Sequence, residues 1–158
     1  MLSNRADAYA LVRARNHNIP SVVLTRAEFA QADKLMPLMQ QYDIHFVVLA
    51  GFLVMVPDFL IKAFPRRIIN IHPALLPAYG GKGMYGHHVH EAVVANHEHE
   101  SGITIHIVDN HYDRGTTLFQ ARCSVTPEDT PDTLAAKIHL LEKEHFPRVI
   151  DETIKARQ

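Results

Sequence analysis

The sequence predicts an α/β fold of three layers, in which a mostly parallel sheet lies between helices. Segment 45–51, HFVVLAG, is a continuous apolar run, and a strand that is apolar on both faces is typical of a parallel sheet. Strand-like runs alternate with helical patterns up to residue 96, as expected of an α/β domain. Two consecutive strand-like runs follow around Gly115, and these predict a late antiparallel hairpin.

The first half of the chain contributes two helices and two strands. Apolar spacing predicts a helix over 6–16, capped by Ser3 or Asn4. Segment 21–25, SVVLT, predicts a short buried strand. A second helical pattern covers 33–42 and leads into the apolar strand 45–51.

The second half continues the alternation and adds the hairpin. A short helix is predicted from Pro57, a strand over 67–71 and a helix over 88–96. The runs 103–108 and 116–125 predict the two strands of the hairpin.

A long helix follows the hairpin. Thr130 is a good N-cap and Pro131 suits the first helical position. The pattern extends to about His145, and Pro147 predicts a kink before the helix continues toward Ile154.

Composition limits the classes of function. The 158 residues are 47% hydrophobic, which predicts one domain over 1–158. Sixteen Lys and Arg against 17 Asp and Glu leave a net charge of -1, so neither a nucleic acid nor an anionic membrane is an expected partner. Cys123 has no second cysteine to pair with, and no apolar run approaches the roughly 20 residues of a membrane span. We expect a cytoplasmic monomer or homodimer.

Asn70 and His72 are the first candidates for a functional site. They follow an apolar strand and precede Pro73, and in open α/β sheets ligands bind beyond the carboxyl ends of the strands. Residues two apart on a strand point to the same side. An amide donor beside an imidazole suits carbonyl chemistry, although such a pair is more often an ordinary packed, hydrogen-bonded pair.

The residues that follow suggest two other kinds of ligand site. His87, His90 and Glu91 share a helix face, but without an HExxH motif or a cysteine pair they are interpreted as solvated helix residues, and no metal is predicted. The glycine-rich stretch 80–86 with Lys82 does not match a Walker A motif. It is interpreted as a flexible lid over a site or, equally, as an exposed loop without function.

Four segments carry a resemblance to a known family. They are VVLAGFL (47–53), INIHPALLPAYGGKG (69–83), SGITIHIVDNHYDRG (101–115) and LLEKEHFP (140–147). The combination of NIHPxLLP with a downstream HxVxxxxDxG is typical of the folate-dependent formyltransferases, and among these the chain resembles the glycinamide ribonucleotide formyltransferases. The resemblance runs over nearly the whole chain, and it implies the formyltransferase fold, a Rossmann-like α/β domain.

The resemblance implies a catalytic set of Asn70, His72 and Asp113. Their implied reaction moves a formyl group from 10-formyltetrahydrofolate to the amine of glycinamide ribonucleotide in de novo purine biosynthesis. Asn70 and a protonated His72 would stabilise the oxyanion, and Asp113 would hold His72 or raise its basicity. No metal is required. From composition alone, Asp113 would be a turn aspartate before Gly115.

The resemblance also implies two binding sets. The implied folate-binding residues are Asn70, Phe52, Leu53, Val54, Met55, Val56, Val108, Asp109, Asn110, His111, Tyr112 and Asp113. The implied nucleotide-binding residues are His139, Leu140, Leu141 and Glu142. Val54 stands where relatives often have an arginine. The ordinary alternatives are core packing for 53–56 and a solvated helix position for Glu142.

The start of the chain departs from the family. Relatives begin with a strand and a loop that cradles the substrate phosphate at a helix N-terminus, whereas this chain has no glycine before Gly51. We therefore expect a natural protein with roughly 30 more N-terminal residues, the extent of one strand-loop-helix unit. The alternatives are a catalytically impaired fragment, a folate-binding relative, or a formyltetrahydrofolate hydrolase-like activity.

Overall fold

The structure, a computed structural model, describes residues 1–111 and 113–156. They form two compact units, Met1–Ile44 and His45–Gln158, and each is described by itself.

The first unit contains a two-stranded parallel sheet and three helices. The strands are β1 (Leu2–Ser3) and β2 (Val22–Val23), and the helices are α1 (Tyr9–Asn16), α2 (Arg26–Phe29) and α3 (Ala32–Gln41).

Three predictions in this unit were wrong. Segment 21–25 was predicted to be a buried strand, but β2 spans only Val22–Val23, and Val23 is 46% exposed. The strand belongs to a two-stranded sheet with β1. Helix α1 begins at Tyr9 and its N-cap is Ala8, whose side chain cannot accept a hydrogen bond. The Ser3 hydroxyl instead accepts a hydrogen bond from the Arg5 N–H in a local turn. Thr25 was predicted to be in a strand, but it is the N-cap of α2 in a capping box with Glu28.

The described residues of the second unit form a four-stranded mixed sheet and three helices. The strands are β3 (Val47–Leu49), β4 (Ile68–His72), β5 (Glu100–Ile107) and β6 (Thr117–Ser124), and the helices are α4 (Asp58–Ala63), α5 (His87–Ala95) and α6 (Pro131–Lys155). The strand order is β3-β4-β5-β6. Strands β3 and β4 are parallel, whereas β5 is antiparallel to β4 and to β6. The predicted α/β class and the late hairpin are confirmed.

Local sequence explains the long helix and the hairpin. Thr130 caps α6 in a capping box with Thr133, and Pro131 occupies the first turn, as predicted. Gly102 lies where β5 meets β6, and a Cβ there would collide with the carbonyl of Ala121. A glycine is therefore required for the two strands to pair at this position.

The core of this unit lies between β4, β5 and the helices α5 and α6. Its fully or almost fully buried members include Ile69, Val89, Val93, Ile103, Ile105, Leu134 and Ile138. These residues anchor the carboxyl end of β4, where Asn70 and His72 lie. Among the described residues, no helix is both long and apolar enough to cross a membrane.

The loop after β4 is held by one buried hydroxyl. Thr104 on β5 donates a hydrogen bond to the carbonyl of Ala74 at 2.7 Å and accepts one from the N–H of Leu76 at 2.9 Å. Gln120 on β6 donates to the same hydroxyl at 2.9 Å. The main chain that follows His72 is therefore fixed to the hairpin.

Candidate functional site

Asn70 and His72 lie side by side at the carboxyl end of β4. The strand register pairs Asn70 with His106 and His72 with Thr104 on β5. Both side chains face one cavity, as the two-residue spacing predicted. His72 is only 4% exposed, so its ring is largely removed from bulk water.

Asp113 approaches this pair from the turn between β5 and β6. One carboxylate oxygen lies 3.7 Å from Nδ1 of His72, and the other lies 3.7 Å from Nε2 of His106. The N–H of Gly81 donates a hydrogen bond to the carboxylate at 2.9 Å. Asp113 has a φ of 52°, a left-handed conformation that is uncommon outside glycine. The catalytic set implied by the resemblance is thus brought together in space.

The hydrogen bonds assign the proton on His72. Its Nε2 lies 2.7 Å from the carbonyl oxygen of Tyr79, and because a carbonyl can only accept, Nε2 carries the hydrogen. In the neutral ring the lone pair is then on Nδ1, which faces Asp113. Burial lowers the pKa of His72, while Asp113 and the Tyr79 carbonyl oppose that shift. Desolvation outweighs the nearby carboxylate, so the neutral ring is favoured in the protein without substrate. The protonated His72 that the resemblance implies during the reaction stays a prediction.

His106 is a member of the site that sequence reasoning missed. Its Nε2 lies 3.2 Å from Nδ2 of Asn70, and its Nδ1 lies 3.3 Å from the carbonyl of Ile107. The carbonyl accepts from Nδ1–H, so Nε2 accepts from the amide of Asn70. Burial lowers the pKa of His106 and favours the neutral ring that these hydrogen bonds require. The amide orientation of Asn70 is therefore set, and its second N–H and its oxygen have no partner among the described residues.

The signal for His106 was present in the sequence. It is the first residue of the HxVxxxxDxG motif, and it lies on the alternating strand of the hairpin. The missing information was the register that places it directly opposite Asn70.

A cavity of about 540 Å³ extends from these four side chains. Most of the implied folate-binding residues line it: Asn70, Phe52, Leu53, Val54, Met55, Val56, Val108, Asp109, Asn110, His111 and Asp113. Tyr112 lies outside the described residues. Leu53 and Met55 are 46% and 50% exposed, so they form an open apolar wall, whereas Val56 is buried as in an ordinary core.

The implied nucleotide-binding segment on α6 divides between the cavity and the surface. His139 and Glu142 line the cavity, and burial raises the pKa of the Glu142 carboxyl. Leu140 does not line the cavity and is 65% exposed, and Leu141 packs against the core instead. Helix geometry explains this division. Residues 139 and 142 are three apart and share one face of α6, whereas residues 140 and 141 point away from that face.

The glycine-rich loop and the start of α5 form another wall. Gly81, Lys82, Gly83 and Gly86 all line the cavity, which agrees with a loop over a site. The interpretation of His90 as a solvated residue was wrong, because it is 4% exposed and lines the cavity. Burial, and then the neighbouring His87 and His139, lower its pKa to about 4. Among residues 1–111 and 113–156, no cluster of three His, Cys, Asp or Glu side chains is arranged to hold a metal ion.

Comparisons with known proteins agree on one family. The model for the family described as formyl transferase matches residues 1–150. The chain is 41% identical to the chloroplastic phosphoribosylglycinamide formyltransferase of Arabidopsis thaliana over 167 aligned residues, covering all of this chain and 57% of that protein. The corresponding protein of Vigna unguiculata is 39% identical over 99% of this chain and 52% of its own length. The chain thus spans about half the length of these curated relatives.

Solved structures with similar folds carry the same name. Phosphoribosylglycinamide formyltransferase from Bacillus halodurans superposes with a TM-score of 0.88 at 30% identity, covering 99% of this chain and 80% of that one. The enzyme from Coxiella burnetii gives a TM-score of 0.82 at 38% identity, covering 94% of this chain and 70% of that one.

Proposed function

Because the chain belongs to the formyl transferase family, we propose that it transfers a formyl group from 10-formyltetrahydrofolate to the amine of glycinamide ribonucleotide, a step of de novo purine biosynthesis. The observation that carries the proposal is the meeting of Asn70, His72 and Asp113 at one end of a cavity. The names of the relatives support the choice of substrates.

The cavity suits a reduced folate in shape and polarity. Leu53 and Met55 offer exposed apolar surface to a ring system, and the turn at 108–111 offers main-chain groups for the polar edge of a pterin. The reacting formyl group belongs at the polar end, beside Asn70 and His72. No metal is part of the proposal.

Asn70 stabilises the charge that develops during attack. When the amine nitrogen bonds to the formyl carbon, the carbonyl oxygen gains negative charge. The N–H of Asn70 that His106 leaves free donates a hydrogen bond to that oxygen. A donor whose direction is already set costs no reorganisation during the reaction, which is the main source of such stabilisation.

His72 and Asp113 move the proton. The attacking amine loses a proton, and Nδ1 of His72 accepts it because Nε2 already carries a hydrogen. Asp113, 3.7 Å away, stabilises the positive ring that results. The bond between the formyl carbon and the folate nitrogen then breaks, and that nitrogen takes the proton from Nδ1.

Glu142 and His139 are proposed to hold the nucleotide substrate, since they line the same cavity from α6. The Glu142 side chain is the acceptor for the glycinamide part or the ribose. A cytoplasmic location and a monomeric or homodimeric state stay predictions.

The test is formyl transfer by the purified chain. The chain is incubated with 10-formyltetrahydrofolate and glycinamide ribonucleotide, and the formylated nucleotide is measured by mass spectrometry, with Asp113→Asn as the matched inactive control. Release of formate that does not need the amine would identify a hydrolase instead. The assay is repeated with the chain extended at its N-terminus by the strand-loop-helix unit of a relative. Folate binding without turnover in both proteins would identify a binding protein, and that result or hydrolysis contradicts the proposal.

A further inference from the structure

One short turn contacts both His72 and Asp113. The carbonyl of Tyr79 accepts the hydrogen bond from Nε2 of His72 at 2.7 Å, and the N–H of Gly81 donates to Asp113 at 2.9 Å. Between them, Gly80 packs so closely that an added Cβ would lie 3.2 Å from Cβ of Asp113. Any movement of this turn therefore changes the surroundings of both groups together.

The turn adopts a conformation that requires support. Tyr79 has a φ of 55°, and a left-handed conformation is unfavourable for a residue with a bulky side chain. Such a residue keeps this conformation only where its surroundings determine it. Main-chain contacts to His72 and Asp113 do not supply that support independently, because those are the groups being positioned.

The phenol of Tyr79 supplies the independent support. Its hydroxyl donates a hydrogen bond to the carboxylate of Glu98 at 2.6 Å and accepts one from the amide of Asn96 at 2.9 Å. Asn96 is the C-cap of α5, and Glu98 follows two residues later. Burial and the bond to Glu98 raise the pKa of the phenol, so that it stays a donor. The turn is thus tied to the end of a helix by a side chain that lies outside the cavity lining.

We propose that Tyr79 is a positioning residue, whose phenol holds its own carbonyl against Nε2 of His72 and thereby selects the tautomer of that ring. Two acceptors compete for the single proton of neutral His72. The Tyr79 carbonyl lies 2.7 Å from Nε2, and the Asp113 carboxylate lies 3.7 Å from Nδ1. If the carbonyl retreats, the carboxylate attracts the proton to Nδ1.

The tautomer matters for the proposed reaction, on which this inference rests. A ring that carries its hydrogen on Nδ1 cannot accept the amine proton there, and its lone pair points toward the turn. Tyr79 therefore acts on the rate of transfer through His72 and makes no contact with the substrates.

The test is Tyr79→Phe, which removes the hydroxyl and keeps the ring. In protein labelled with nitrogen-15 in histidine, long-range proton–nitrogen spectra report which nitrogen carries the hydrogen, and His72→Gln assigns the signal. We expect the Nε2–H form in the wild type and a mixture containing Nδ1–H in Tyr79→Phe. The kcat should fall about 2- to 12-fold, the change that corresponds to one neutral hydrogen bond, with KM for the folate unchanged. Tyr42→Phe, at an exposed tyrosine outside the cavity, is the matched control.

Variants at Glu98 test the same hydrogen bond without altering Tyr79. Glu98→Gln keeps an acceptor oxygen and should keep the wild-type tautomer and rate, whereas Glu98→Ala should reproduce the effect of Tyr79→Phe. Glu98 is exposed, so these variants decide the question even if Tyr79→Phe does not fold. The proposal is overturned if His72 stays entirely in the Nε2–H form in Tyr79→Phe and Glu98→Ala. Because the spectra need no substrate, a wild type without formyl transfer would refute the proposed function and leave this test intact.

Discussion

Removing the imidazole of His90 should make the protein more resistant to acid. His90 is 4% exposed, and its Nδ1 has no hydrogen-bond partner among the described residues. Burial is the main cause that lowers its pKa to about 4, whereas a histidine in an unfolded chain titrates near 6.5. The folded state therefore binds fewer protons than the unfolded state between these two pH values. The contribution of the neutral His90 to the free energy of unfolding is therefore complete above pH 6.5 and is lost as the pH falls toward 4.

The size of the effect follows from the two pKa values. With about 1.4 kcal/mol for each pH unit between them, the free energy of unfolding falls by about 2 kcal/mol at pH 5 and by about 3 kcal/mol once His90 is fully protonated. Against a total stability of about 5 to 15 kcal/mol, this is a large fraction.

The assay is urea unfolding at pH 7 and at pH 5, without ligand. We expect the wild type to lose about 2 kcal/mol more than His90→Gln between these pH values. Each protein is compared with itself, so a change in the stability of the variant at pH 7 does not affect the result. His88→Gln, at an exposed position on the same helix, is the control for replacing a histidine by glutamine. Equal losses in the wild type and His90→Gln would refute the reasoning.

Three further predictions concern chemistry, ligand binding and folding. His72→Ala and Asp113→Asn should each lower kcat/KM for formyl transfer by about 10²- to 10⁴-fold while the circular dichroism spectrum is unchanged, because both act on the proton and on charge in the transition state; near wild-type rates would remove them from the mechanism. A reduced folate analogue should bind in the presence of a chelator, as measured by calorimetry, and loss of binding would restore the histidine-metal interpretation. Thr104→Val should destabilise the protein by about 1 to 3 kcal/mol in urea unfolding, because the hydroxyl satisfies the Ala74 carbonyl and the Leu76 N–H; an unchanged midpoint would contradict this account.

Local patterns were sufficient for most of the fold. The apolar run at 45–51 and the alternation at 103–108 predicted strands that the structure confirms as β3 and β5, and Thr130 with Pro131 predicted the start of α6. The prediction of secondary structure was wrong where one residue fits both a strand pattern and the pattern of a helix start. Thr25 is β-branched at the end of an apolar run, and it is also the first half of a capping box that starts a helix.

The position of Asn70 and His72 at the end of a strand was also readable from the sequence, and the resemblance added Asp113. What tertiary structure alone decided is the state of these groups. The neutral ring of His72 depends on burial and on a carbonyl seven residues away, and the orientation of Asn70 depends on His106, 36 residues further along the chain. His90 is buried because it lies on the face of α5 that is turned toward α6. Helical periodicity alone does not show which face of a helix is buried in this way. Protonation depends on desolvation and on partners distant in sequence, and both arise only when the chain has folded.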